Sequence, residues 1–181
     1  MRAIIWAAGL GTRLRPLTLK KQKCMIDIAG KPCLEHIVKK LEDIGILEII
    51  IKVNYKKEQV IEHFGERVMY YYQPDLKDEE ESLIDMAKWL WDDYTLVING
   101  DTLSDVDISR MHKLAVNRNI RHMDRKVEGL YAGTKILTPE YWKGDRTFTD
   151  FFSTDEWHDI GTWTGLFKAR RFYEKKATNL L

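Results

Sequence analysis

Two glycines and two arginines follow the first apolar run of the chain, in Ala7-Ala8-Gly9-Leu10-Gly11-Thr12-Arg13-Leu14-Arg15-Pro16. Glycines at that spacing let a backbone turn tightly and bring its N–H groups against a phosphate. An arginine fork adds fixed charge that can be aimed at phosphate oxygens. Two commoner phosphate loops do not fit: a dinucleotide fingerprint needs a third glycine where Leu14 stands, and a Walker A loop needs a Gly-Lys-Ser/Thr run that the chain lacks. A second group, Asn99-Gly100-Asp101, closes the apolar run Leu96-Val97-Ile98. A carboxylate at the carboxyl end of a central strand stands in the crevice where open α/β sheets bind ligands, and magnesium takes one or two carboxylates together with substrate phosphates. The same three residues also make an ordinary turn. A third group, Trp157-His158-Asp159-Ile160-Gly161-Thr162, offers a second aspartate beside a glycine, with Thr162 placed to cap a helix.

Elements that could hold such groups alternate along the chain. Apolar runs of strand length fall at 3–8, 48–53, 68–72, 95–98 and 130–137, with amphipathic segments between them, the pattern of a parallel sheet flanked by helices. In 33–44, Leu34, Ile37, Val38, Leu41 and Ile44 make a helical stripe, with Pro32 ahead and Gly45 as the stop. Further helices are predicted over 57–64, ending at Gly65, over 80–91, over 107–116 and over 164–173. Acids at 78–81 suit the positive end of the third helix dipole. The stretches 117–128 and 143–156 are charged and weakly periodic, and read as loops over one edge of the sheet. The expectation is an α/β fold, a doubly wound, Rossmann-like, mainly parallel sheet in three α/β/α layers, forming one domain over residues 1–181.

Composition narrows the function classes. The chain has 181 residues with 29 Lys+Arg against 28 Asp+Glu, a net charge of +1, so it is neither a disordered tail nor drawn in bulk to nucleic acid or an acidic membrane. A nucleic-acid site on the run Arg118–Lys126 is poorly served by what reads as a solvated loop. Cys24 and Cys33 form no CxxC pair, and the apolar start stops at Gly9, too short for a signal or a membrane span, which together suggest a reduced cytoplasm. Trp89, Trp91, 70–72, Phe148, Phe151 and Phe152 read as core or interface, and six Trp in this length suit self-association into a homo-oligomer. The five His read as structural or solvated.

Taken in order, the motifs resemble the nucleotidyltransferase family that makes nucleoside-diphosphate sugars. The resemblance rests on Gly9-Leu-Gly-Thr-Arg-Leu-Arg-Pro-Leu-Thr18, Lys23 and Met25, Gly30-Lys31-Pro32 with Leu34-Glu35-His36, Gly100-Asp101, Ala132-Gly133, and Trp157 with Asp159-Ile-Gly-Thr162. It implies that Ala8, Gly9, Gly11 and Thr12 hold a nucleoside triphosphate, with Arg13 on its outgoing phosphates. It implies that Lys23 meets phosphate at the reacting centre, and that Asp101 and Asp159 hold Mg2+. Gln73 is the candidate reader of the base, with Ser82 where the family has a glycine-rich pair. Gly133 and Lys126 are the candidates for the acceptor side. The implied partners are a nucleoside triphosphate and a sugar 1-phosphate, and the implied reaction gives a nucleoside-diphosphate sugar and pyrophosphate.

The chain departs from the family pattern in several places. Prolines usual around Lys23 and before Gly30 are replaced in Gln22-Lys23-Cys24-Met25-Ile26-Asp27, and Trp6 stands where a small or aliphatic residue is usual. Between 116 and 129 the strand that should follow Asp101's helix, with its Glu-Lys pair, is nearly missing, and 142–157 is short for the usual acceptor contacts. The acceptor region around 117–157 is therefore expected to be reduced. Two rival readings stand beside the sugar enzyme: a cytidylyltransferase for phosphocholine or a similar phospho-alcohol, and a non-catalytic nucleotide-binding regulatory module. Arg13, Lys23, Asp101 and Asp159 together weigh against the second, since a purely structural descendant needs none of those charges.

Overall fold

The computed structural model describes residues 1–178 apart from 76, 77, 91, 92, 119, 121, 129, 145 and 146. Expectations on Trp91 and Arg121 lie outside the described residues. Strand β1 (Arg2–Ala7) leads into a short helix α1 (Leu17–Lys20), a two-strand ribbon β2 (Asp27–Ile28) and β3 (Lys31–Pro32), and helix α2 (Cys33–Asp43). Then come β4 (Ile49–Val53), α3 (Lys57–Phe64), β5 (Met69–Tyr72), α4 (Glu79–Leu90), β6 (Thr95–Asn99), β7 (Thr102–Ser104) and α5 (Ile108–Asn117). The last third holds β8 (His122–Val127), β9 (Leu130–Leu137), α6 (Pro139–Trp142), β10 (Thr149–Phe152), β11 (Trp157–Asp159) and α7 (Trp163–Thr178).

Seven strands form the central sheet in the order β10-β8-β9-β6-β1-β4-β5. β1 pairs in parallel with both β4 and β6, β4 with β5, and β8 with β10; β9 alone runs against its neighbours β6 and β8. The central position of β1 explains its sequence, because a strand with helices on both sides is apolar on both faces. Ile5 packs into the larger core with α2, α3, α5 and α7, and Ile4 into a smaller one with α4 and α6. Each is fully buried and contributes about 2 kcal/mol. The helix stops fall as expected: Gly45 and Gly65 both take positive φ after α2 and α3. At the head of α4, Glu81 N–H donates to Asp78 Oδ1 at 2.9 Å and Asp78 N–H to Glu81 Oε2 at 3.4 Å, a reciprocal cap.

Each of the two stretches read as loops contains a strand of the central sheet. β8 supplies the strand expected to be nearly missing, and β10 extends the sheet beyond it. Arg125 hid the period. Met123, Arg125 and Val127 are all buried on alternating positions, but a charged residue in the middle of the stripe breaks its apolar reading. Arg125 is tolerated there because its guanidinium donates to Ala132 O at 3.1 Å and to Ser153 Oγ at 3.0 Å. Among the residues expected in core or interface, Phe148 packs on the smaller core, while Trp89 and Phe152 lie largely exposed on the surface of the chain. No described helix is long and apolar enough to cross a membrane.

Candidate active site

Gly11 opens the phosphate loop in the left-handed region, φ 63°. A Cβ there would stand 2.8 Å from Thr18 Cγ2 and 3.2 Å from Lys23 Cβ, so the turn closes on α1 only with glycine. Thr18 Oγ1 donates back to Gly11 O at 2.8 Å, and the turn Thr12–Leu14 that follows carries Arg13. Lys23 begins a second short turn held by the buried Gln22. The Gln22 side-chain amide donates to Ala7 O at 2.6 Å, and its carbonyl accepts from Cys24 N–H at 2.5 Å. Gln22 therefore ties this turn to the end of β1 by hydrogen bonding. Its signal was only a departure from the pattern.

Asp101 is delivered by a tight passage at Gly100, whose N–H donates to Trp6 O at 2.9 Å. A Cβ on Gly100 would lie 2.7 Å from that same oxygen and 3.1 Å from Cys24 Sγ. The Lys23 ammonium forms an ion pair with Asp101 Oδ2. Burial pulls the Lys23 pKa down, but the Asp101 carboxylate, with smaller help from Cys24 and Asp159, outweighs it and holds the amine above its usual range. Burial pushes the Cys24 thiol up to about 12, with Asp101 adding to the rise, so this cysteine is packing and no nucleophile.

The second aspartate arrives on a separate ribbon. β11 pairs antiparallel with β7, setting Asp159 opposite Thr102, and Ile160 N–H donates to Asp101 O at 2.9 Å. Gly161 marks the convergence. A Cβ at that position would lie 2.8 Å from Asp159 Oδ1, 2.9 Å from Arg13 Nη2 and 3.5 Å from Asp101 Oδ2. Thr162 caps α7 as expected, its Oγ1 accepting from Gly165 N–H at 3.1 Å.

A cleft of about 310 Å³ opens at the carboxyl ends of β1, β4 and β6, lined by Ala8, Gly9, Lys23 and Asp101, by Lys52, Asn54 and Asp75 towards β4, and by Glu79, whose carboxylate pairs with Lys135 of β9 at 2.6 Å. Gln73 and Ser82 do not line it. Both are buried behind its wall, Ser82 accepting from Lys52 Nζ at 2.5 Å and donating to Gln73 Oε1 at 2.8 Å, while Gln73 Nε2 donates to Asp85 Oδ2 at 3.4 Å. Gly133, φ 69°, packs directly on Thr102, the residue after Asp101. Lys126 stands on β8 with its ammonium 3.8 Å from Asp150 Oδ1. Lys52 was missed, although a lysine inside Ile49-Ile50-Ile51-Lys52-Val53 is a visible break in an apolar strand.

Asp101 and Asp159 bring carboxylate oxygens to one point, and no group of three metal-ligating side chains forms among the described residues. Two hard oxygen ligands beside a phosphate loop fit magnesium, which keeps water and substrate phosphate in its shell.

Three similarities to known proteins bear on this arrangement. The Bifunctional protein GlmU of Methanocaldococcus jannaschii is 41% identical over 115 residues, which are 62% of this chain and 28% of that one. The UTP–glucose-1-phosphate uridylyltransferase AglF of Haloferax volcanii is 35% identical over 118 residues, 62% of this chain and 48% of that one. The chain thus spans from about a quarter to about a half of the length of these curated relatives. A solved structure of a putative glucose-1-phosphate thymidylyltransferase from Bacillus anthracis, in complex with a sucrose, superposes with a TM-score of 0.85 at 18% identity, covering 96% of this chain and 95% of that one, a likeness of fold. The model of the Nucleotidyl transferase family matches residues 2–127, from β1 and the phosphate loop through Asp101 to the end of β8, and the chain belongs to that family.

Proposed function

We propose that the protein is a magnesium-dependent nucleotidyltransferase that joins a nucleoside triphosphate to a sugar 1-phosphate, giving a nucleoside-diphosphate sugar and pyrophosphate. The observation that carries this is the convergence of Arg13, Asp101 and Asp159 on one point, with Lys23 paired to Asp101. A phosphate oxygen of the acceptor attacks the α-phosphorus, and the bond from that phosphorus to the bridging oxygen of pyrophosphate breaks. Both reactants are anions, so positioning and charge neutralisation carry the rate.

In this reading the backbone of Ala8, Gly9, Gly11 and Thr12 cradles the triphosphate, and Arg13 meets the departing pyrophosphate. Lys23 lies on the α-phosphate side, where it moves from Asp101 to a phosphate oxygen as substrate enters. Asp101 and Asp159 would hold magnesium, whose charge offsets the repulsion between the two phosphates. Gly133 lets β9 pack closely on Thr102 beside Asp101, and Lys126 serves the acceptor phosphate from β8. Gln73 and Ser82 back the far wall of the cleft. The sugar-phosphate enzyme named among the relatives favours a sugar 1-phosphate over a phospho-alcohol.

The test is pyrophosphate release with magnesium, each common nucleoside triphosphate being paired with a panel of sugar 1-phosphates and with phosphocholine. Release with one sugar 1-phosphate pair is the expected result. Release with phosphocholine alone would replace the acceptor, and triphosphate binding without release from any pair would make the chain a nucleotide-binding module.

A further inference from the structure

The far end of the cleft is built unlike the phosphate end. Lys52 of β4 pairs across to Trp6 of β1, and its ammonium stands 5.1 Å from the centre of the Trp6 ring. The ammonium is also fixed by Ser82 Oγ from α4, at 2.5 Å, and the residue is only 6% exposed. It therefore points along the cleft wall in one place, and the aromatic and hydroxyl contacts hold it there.

Its position says which part of the ligand it meets. β4 lies on the far side of β1 from β6, the strand that delivers Asp101, a separation of two strand spacings or roughly 10 Å. With the α-phosphate at Lys23 and Asp101, the nucleoside must extend over β1 towards β4. A phosphate is disfavoured at that end, because Asp75 lines it with a carboxylate. The glutamine expected to read the base is taken up between Ser82 and Asp85.

We infer that Lys52 reads the base of the nucleoside triphosphate, and that it selects a base carrying a carbonyl at the recognition edge, such as guanine or uracil, over one carrying an amino group there, such as adenine or cytosine. This rests on the nucleotidyltransferase reading for the placement of the phosphates. An ammonium has donors and no acceptor lone pair. A carbonyl oxygen at O6 or O4 accepts from it, whereas an amino group at the same place leaves two donors facing each other in a site shielded from water. Such a mismatch is costly because neither group recovers its lost hydration.

Two pairs of bases exchange the carbonyl for an amino group, the adjacent ring nitrogen changing from donor to acceptor with it: ITP against ATP, and UTP against CTP. Equilibrium binding of each to the full chain, with magnesium and without acceptor, is expected to favour the carbonyl member of every measurable pair by about a hundredfold. Lys52→Met, which keeps length and packing, should reduce that preference to less than about fivefold, mainly by weakening the carbonyl member. Equal binding within the wild-type pairs overturns the inference, and so does a Lys52→Met protein that loses all four triphosphates equally, which would mark Lys52 as a phosphate ligand. If Lys52→Met does not fold, the wild-type ratios decide by themselves. A carbonyl preference in binding without pyrophosphate release from any acceptor would sink the catalytic reading and leave this inference standing.

Discussion

The backbone N–H of Ile160 donates to the carbonyl oxygen of Asp101 at 2.9 Å, so a single rung between β7's lead-in and β11 holds the two cleft aspartates side by side. The Asp159 carboxylate also accepts from the Gly161 N–H at 2.6 Å, but its neighbours alone do not bring it to Asp101. The pair exists because an antiparallel ribbon sets Asp159 against Thr102, and Gly161 leaves room for Arg13 to join them.

Gly161→Ala should therefore separate the charges without unfolding the chain. Its methyl would stand within 2.9 Å of Asp159 Oδ1 and Arg13 Nη2, and displacing such groups by about an ångström costs roughly a hundredfold in rate. Steady-state pyrophosphate release beside the far-ultraviolet circular dichroism spectrum checks this. A normal rate would show that the three groups do not act together.

Asp101→Asn keeps the shape of the side chain and removes the charge that pairs with Lys23. Turnover is expected to fall by about 10³ or more, with the fold intact because the residue sits at the mouth of the cleft. Chelation of magnesium should abolish wild-type turnover to the same extent. Activity that survives either treatment contradicts the proposed mechanism.

Gly165→Ala tests packing instead of chemistry. A Cβ in this first turn of α7 would run into the carbonyl oxygen of Asp159. Backbone cannot yield as a flexible side chain can, so stability should fall by about 2 kcal/mol, or roughly 6 °C in Tm. Calorimetry measures the shift, and an unchanged Tm would mean that α7 slides freely against β11.

Lys40 predicts a pH dependence away from the site. Its ammonium donates to Ser104 O at 2.8 Å and Val106 O at 2.7 Å, and burial, opposed by Asp105 and Asp155 and aided by Arg125 and Lys176, pulls its pKa down to about 8. The unfolded lysine titrates near its usual 10.5, so between about 8 and 10.5 the unfolded chain binds more protons and folding stability rises with pH. The neutral amine still has N–H groups for both carbonyls. Relative to Lys40→Met, the wild-type Tm should therefore gain between pH 7.5 and pH 10. A difference that stays flat or falls over that range refutes the assignment.

Much of this was legible in the linear chain. The apolar run of β1 from Ala3 to Ala7, the stripe of Leu34, Ile37, Val38 and Leu41, and the stops at Gly45 and Gly65 depend on periods of two and 3.6 residues and on φ preferences, which are local properties. Hence the layers and most of the parallel order followed from pattern. The phosphate loop was readable for the same reason, since Gly11 must take positive φ within a few residues of Thr18. β8 and β10 were not, because Arg125 is buried through bonds to Ala132 and Ser153 that lie outside its own segment.

The chain by itself determined its elements, its phosphate loop and the identities of the four charges that could handle phosphate, because those rest on residue type and short-range spacing. Only the tertiary structure decided which charges meet. Asp101 and Asp159 come together through a ribbon between distant segments, Gln73 turns behind the cleft wall to Ser82 and Asp85, and Lys52 comes to line the cleft over Trp6. Each of those outcomes depends on strand order and on which side chain reaches a partner first, and neither is encoded in any single stretch of sequence.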